Sequence, residues 1–319
     1  MYIARAYNGL HEFWRYVIGV IIAIIGVVVF SMPHLIAIAI ETANGNIDLS
    51  QLDNTSYIMG LFEPNINLVF ILLPFAGGLI ALLLAVKFLH KQSVKDLTTT
   101  RKKIDWKRFW FIFLLWGIVS SSLVLTDYFM SPEDYQWNFN LIPFLILSVI
   151  AVFLVPLQTS FEEYLFRGYL MQGIGVLAKN RWLPLIITSI VFGLLHIANP
   201  EVDKLGYVIM VYYIGTGLFL GIITLMDDGL ELALGFHAAN NLFTALLVTA
   251  DWTVFQTHSI LKDLSDPSEM GLAEIFVPVF VVFPILLFIL AKKYNWSNWK
   301  DKLLGQVVEP PKEDYKILD

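Results

Sequence analysis

Three groups of polar side chains interrupt an otherwise apolar chain of 319 residues. Glu162, Glu163 and Arg167 stand in Phe161-Glu162-Glu163-Tyr164-Leu165-Phe166-Arg167-Gly168, His196 closes Phe192-Gly193-Leu194-Leu195-His196, and His237 is followed by Asn240 and Asn241. Glu163 and Arg167 are four apart, so on a helix one stacks over the other as a carboxylate to guanidinium pair whose role is structural. Glu162 is rotated by about 100° from Glu163 and is left as the free carboxylate. His237 and Asn241 share a stripe, as do Phe192 and His196, so each segment offers its polar groups in one direction.

A carboxylate, two imidazoles and an amide suit hydrolysis. The carboxylate takes a proton from water as the water attacks a carbonyl carbon, and an imidazole orients that water or returns the proton to the leaving amine. Asn241 and His237 suit the stabilisation of a developing oxyanion. The same Glu162, His196 and His237 could instead hold Zn²⁺, since two histidines and a glutamate form a catalytic ligand set. The residues leave both routes open. A His-Glu-x-x-His helix is absent, which lowers the metal reading, and no metal is favoured.

These groups must be positioned by membrane helices. Hydrophobic residues make up 57% of the chain and charged residues 15%, against roughly 25% in soluble domains. Repeated apolar runs long enough to cross about 30 Å of hydrocarbon give an all-α polytopic membrane protein. The absence of cysteine excludes disulfides, a thiolate nucleophile and Cys-ligated metal. A net charge of −6 gives no general attraction to nucleic acid.

Hydropathy predicts about eight spans, at Tyr16 to Ile40, Ile66 to Leu89, Phe109 to Phe129, Leu141 to Gly173, Leu183 to Ala198, Leu205 to Met226, Leu230 to Ala250 and Ala273 to Ala291. The fourth is too long to be only a span, so it tilts, kinks at Pro156 or projects. From the basic ends of their spans, Glu162 lies about 16 Å deep, His196 about 20 Å, His237 about 12 Å and Asn241 about 18 Å, so one slab contains all four. On this topology 19 Lys and Arg fall on one side and only Lys204 and Lys262 on the other. Both termini are therefore expected in the cytoplasm, and the protein in the plasma membrane. The basic loop between the second and third spans reads as a topogenic cluster that could also touch anionic lipid.

Ile3, Tyr7, Leu10 and Trp14 fall on one helical stripe, which suggests a short helix lying in the membrane interface. Loops Glu41 to Asn65 and Asp251 to Glu274 are long and polar enough to cap the outer end, with nothing catalytic in them. Residues 305–319, with Pro310-Pro311 and a charged end, read as a disordered cytoplasmic tail. The whole of 1–319 is then a single transmembrane domain, with 141–250 its catalytic core.

The three groups resemble the motifs of the CPBP intramembrane proteases, which include type II CAAX prenyl endopeptidases and bacteriocin-processing and self-immunity proteins. The Glu-Glu-x-x-x-Arg motif is matched by Glu162, Glu163 and Arg167, Phe-x-x-x-His by Phe192 and His196, and His-x-x-x-Asn by His237 and Asn241. The resemblance implies that Glu162 and His196 activate the hydrolytic water and that His237 and Asn241 bind the oxyanion. It also implies that Glu163 and Arg167 brace the site, that Phe192 packs beside it, and that the chemistry is glutamate-based or zinc-dependent. The expected activity is endopeptidase cleavage of a membrane-associated or lipid-modified, CAAX-like peptide on the cytoplasmic side, the partners being lipid and a peptide or prenylated protein. The competing expectation is a non-proteolytic membrane partner, an immunity protein or a small-solute transporter using the same polar cluster.

Overall fold

A computed structural model of the chain describes residues 1–51, 54–269 and 271–318. Among the described residues six helices are long and apolar enough to cross a membrane: α1 (Phe13–Ala43), α2 (Pro64–Leu89), α3 (Trp106–Met130), α4 (Leu141–Ala178), α6 (Tyr207–Asp227) and α8 (Leu272–Tyr294). Two shorter helices, α5 (Trp182–Leu194) and α7 (Glu231–Leu247), occupy the fifth and seventh expected spans. The fold is thus all-α and polytopic, as hydropathy indicated. His237 lies within α7, whereas His196 stands in the turn that follows α5.

α1 lies along α2, α2 against α4, α4 against α7, α7 against α3, and α5 against α6. Small residues permit the closest approaches, as expected where lipid offers no hydrophobic drive for helices to associate. A Cβ on Gly26 of α1 would lie 2.5 Å from the carbonyl oxygen of Gly77 in α2, and one on Gly217 of α6 would lie 2.8 Å from that of Ser189 in α5. The outer faces of α1, α3 and the first half of α4 expose Ile, Leu, Val and Phe side chains. These are the surfaces that meet lipid.

The 38-residue α4 is not a uniform helix. It runs as an α-helix from Leu141 to Glu163, widens into a π-helical stretch over Tyr164–Leu170, and resumes over Met171–Ala178. The irregularity begins directly after the two glutamates, where π-bulges commonly mark functional sites. At the end of the bundle nearer Leu141, strand β1 (Tyr135–Trp137) pairs antiparallel with β3 (Leu261–Asp263), which also pairs in parallel with β2 (Val248–Thr249).

The opposite, basic end is closed by the chain's own termini and loops. A 3-10 turn over Ile3–Asn8 buries Ile3 and Tyr7 against Met171, Leu185 and Leu225. The stripe expected to lie in the interface therefore divides: Ile3 and Tyr7 enter the protein, and only Trp14 faces outward. The Tyr2 hydroxyl donates to the Leu97 carbonyl at 2.6 Å, which ties this segment to the bundle. Arg101 pairs with Asp227 at 2.8 Å and Glu231 at 3.1 Å, and Arg108 also reaches Asp227. Part of the basic loop is thus fastened to α6 and α7. Along the C-terminal segment, expected to be disordered, Gln306 pairs with Asn180, Val307 is buried, and Tyr315 stacks on Tyr7 at 5.9 Å.

Candidate active site

α4 contributes Gln158, Glu162, Glu163 and Arg167, all buried. Arg167 Nη1 donates to Glu163 Oε1 at 2.9 Å, and Nη2 donates to the carbonyl of Gly217 at 3.2 Å. The guanidinium also lies 4.1 Å from the ring centre of Phe192, a cation-π contact. Neither partner of the ion pair has any solvent exposure. The pair joins α4 to α5 and α6, the bracing expected from its spacing.

Glu163 has a second task that its spacing did not reveal. Its Oε1 also accepts from His237 Nδ1 at 2.8 Å, across from α7. Because a carboxylate held by arginine can only accept, Nδ1 must carry the proton. In neutral His237 the lone pair then sits on Nε2, which faces Glu162 Oε2 at 3.6 Å. His196 is set in the same tautomer: its Nδ1 donates to the Phe192 carbonyl at 2.8 Å, and its ring stacks on Tyr213 at 4.5 Å.

The other oxygen of Glu162 ends a chain of one-way hydrogen bonds. Trp116 Nε1, which can only donate, reaches Asn240 Oδ1 at 3.0 Å. That fixes the amide, so Asn240 Nδ2 donates to Asn241 Oδ1 at 3.1 Å and Asn241 Nδ2 to Gln158 Oε1 at 3.0 Å. Gln158 Nε2 then donates to Glu162 Oε1 at 2.5 Å. Glu162 Oε2 has no partner of its own. Among the described residues each of the two glutamates is thus bonded through Oε1 and leaves Oε2 without a hydrogen-bond partner.

Glu162, His196, His237 and Asn241 all line one cavity of about 410 Å³, with Phe192 in its wall, whereas Glu163 and Arg167 stand behind it. All seven expected residues are therefore at or against one site. The sequence reading missed Gln158, although it lies four residues before Glu162 and is polar in an apolar run. It also missed Trp116, whose role depends on α3 meeting α7, and the outer loop residues Trp252 to Phe255, which line the cavity far from the motifs.

Zinc needs three ligand atoms about 2.0 to 2.2 Å from one point. Glu162 and His237 supply a pair, but among the described residues no three of His, Asp and Glu converge to hold an ion.

Comparison with known proteins accords with this architecture. Residues 137–243 match the family model described as type II CAAX prenyl endopeptidase Rce1-like. The chain is 31% identical over 286 residues to the uncharacterized protein YyaK of Bacillus subtilis (strain 168), covering 88% of this chain and 92% of that one. The chain belongs to the Rce1-like family. It is an integral membrane protein of a family that implies CAAX-type intramembrane protease activity and a peptide or prenylated-protein substrate. No solved structure matches the chain. The Rce1-like match contains α4, α5 and most of α7, and so all three motifs, while α1, α2 and α8 lie outside it.

Proposed function

We propose that the chain is an intramembrane endopeptidase in which Glu162 is the general base. Water bound at the unpartnered Oε2 of Glu162, oriented by His196, attacks the carbonyl carbon of a peptide lying in the cavity. Its proton passes to Glu162 as the oxygen to carbon bond forms. Asn241 commits one amide N–H to Gln158 and has a second for the oxyanion. His237 Nε2, 3.6 Å from the carboxylate, takes up the proton and delivers it to the nitrogen as the carbon to nitrogen bond breaks. Glu163 stabilises the transient imidazolium through Nδ1. No metal enters these steps.

The observation that carries this reading is the opposed anchoring of Glu162 and His237. Each is held by fixed donors or acceptors on its far side, and each leaves one free atom toward the other. The test is cleavage of a peptide library, with and without a prenyl group, by the purified full chain. Glu162→Gln and His196→Ala are expected to abolish cleavage while melting near the parent temperature. Parental cleavage by Glu162→Gln removes the reading, and loss of folding in both variants favours a structural cluster.

A further inference from the structure

The cavity has a direction. Besides Glu162, His196 and Asn241 its lining includes Ile71 and Phe75 of α2 on the flank and, at one end, Asn199, Glu201, Trp252 and Thr253. These last residues sit where α5 ends, the loop before α6 begins and α7 gives way to β2, at the end of the bundle that carries Lys204 and Lys262. Glu201 Oε1 accepts from the Val254 amide at 3.0 Å, clasping the short helix Pro200–Leu205 to the loop after α7. That clasp shapes the rim.

Toward the other end the way is shut. Phe166, the Glu163 to Arg167 pair, Leu97, Thr98 and Tyr2 are all buried below the site. Beyond them lies the end of the bundle that carries 18 of the 21 Lys and Arg residues, Arg167 being buried in the pair itself. So strong a bias sets the basic end in the cytoplasm.

We infer that peptides reach Glu162 through the rim formed by Asn199, Glu201, Trp252 and Thr253, on the side of the membrane opposite the basic loops. The inference rests on the reading of Glu162 as the cutting centre and adds the class of substrate. That class is a translocated segment, either an exported peptide or the outer juxtamembrane stretch of an anchored chain. The cytoplasmic cutting expected from the resemblance does not agree with this path, because a cytoplasmic tail would have to pass the closed end. Among the described residues the acidic and basic side chains lining the cavity are Glu162, Glu201 and Asp263 with two histidines, and no Lys or Arg. An entering segment that is neutral or basic is accepted more readily than an acidic one.

The chain has no cysteine, so a single introduced thiol reports alone. Thr253→Cys at the rim and Lys103→Cys at the basic end are each made in the full chain and exposed to a membrane-impermeant maleimide on intact cells. Thr253→Cys is expected to react in intact cells, and Lys103→Cys only after permeabilisation. In right-side-out vesicles, a peptide that the parent cleaves is added from outside, and maleimide on Thr253→Cys is expected to lower its cleavage at least tenfold relative to the unmodified variant. The inverse labelling pattern overturns the inference. So does a modified Thr253→Cys that cleaves as fast as the unmodified one. If labelling follows expectation but the parent cuts no peptide from either side, the protease reading falls while the outward opening of the cavity stands.

Discussion

His237 donates a hydrogen bond from Nδ1 to Glu163 at 2.8 Å and turns its other ring nitrogen to Glu162. Two adjacent glutamates thus act on opposite sides of one imidazole, and the helical rotation between them makes this geometry available. Glu163 also holds Arg167, so removing it does two things at once. Glu163→Ala leaves a buried guanidinium without its carboxylate and is expected to cost about 3 to 5 kcal/mol of stability. Arg167→Ala should cost a similar amount. Glu162→Gln breaks no ion pair and is expected to melt within about 1 kcal/mol of the parent while losing activity. Thermal melting in detergent, measured beside cleavage, separates the two glutamates. Equal melting losses at 162 and 163 would remove the distinction.

Among the described residues Gln158 is the one link between the amide chain and the Glu162 carboxylate. Gln158→Leu keeps the size and removes both hydrogen bonds, freeing Glu162 to rotate and Asn241 to turn. We expect kcat to fall about 10- to 100-fold with KM little changed, since alignment rather than binding is lost. Trp116→Phe removes only the first donor of the chain, so it is expected to act in the same direction with an effect under about tenfold. In the double variant the losses should not add, because both act through one network. Additive losses would show that Trp116 acts through packing alone.

Much of this site was legible in the sequence because intramembrane polar residues are few and helical spacing is strict. The Glu163 to Arg167 pair followed from a separation of four, and the common depth of Glu162, His196, His237 and Asn241 followed from rise per residue. What spacing could not supply was contact between helices. The bond from His237 to Glu163 depends on how α4 and α7 are rotated, and the Trp116 to Asn240 bond on the packing of α3. The N-terminal stripe failed for a related reason. An apolar stripe reports only that it will be covered, and for Ile3 and Tyr7 the cover is Met171 and its neighbours, not lipid.

The base mechanism proposed for Glu162, which uses no metal, has a direct consequence. Dialysis against a strong chelator, followed by assay in its presence, is expected to leave the cleavage rate within about twofold of the untreated protein. The basis is structural: Glu162 and His237 lack a third His, Asp or Glu ligand among the described residues, and His237 Nδ1 is already committed to Glu163. Loss of turnover restored by added Zn²⁺ would require Glu162 to act as a ligand and would replace the base mechanism.

The basic end carries a pH dependence of its own. His90 lies just beyond α2, where its Nδ1 donates to the Leu10 carbonyl at 2.7 Å and its Nε2 lies 2.7 Å from the Tyr169 hydroxyl. Burial, aided by the nearby positive charge of Arg15, pushes its pKa down from 6.5 to about 4. The folded chain therefore resists a proton that the unfolded chain accepts, and ν is larger in the unfolded state. His90 costs nothing above about pH 6.5. Stability is expected to fall as pH drops from there toward 4, by a total on the order of 3 kcal/mol. Melting temperatures of the parent and His90→Asn, followed between pH 4 and 7.5, test this. The variant should begin lower at pH 7.5, having lost packing, and then decline less steeply as pH falls. Parallel curves would mean that His90 does not titrate between its folded and unfolded values, and that the docking of the N-terminal turn against α2 is insensitive to acid.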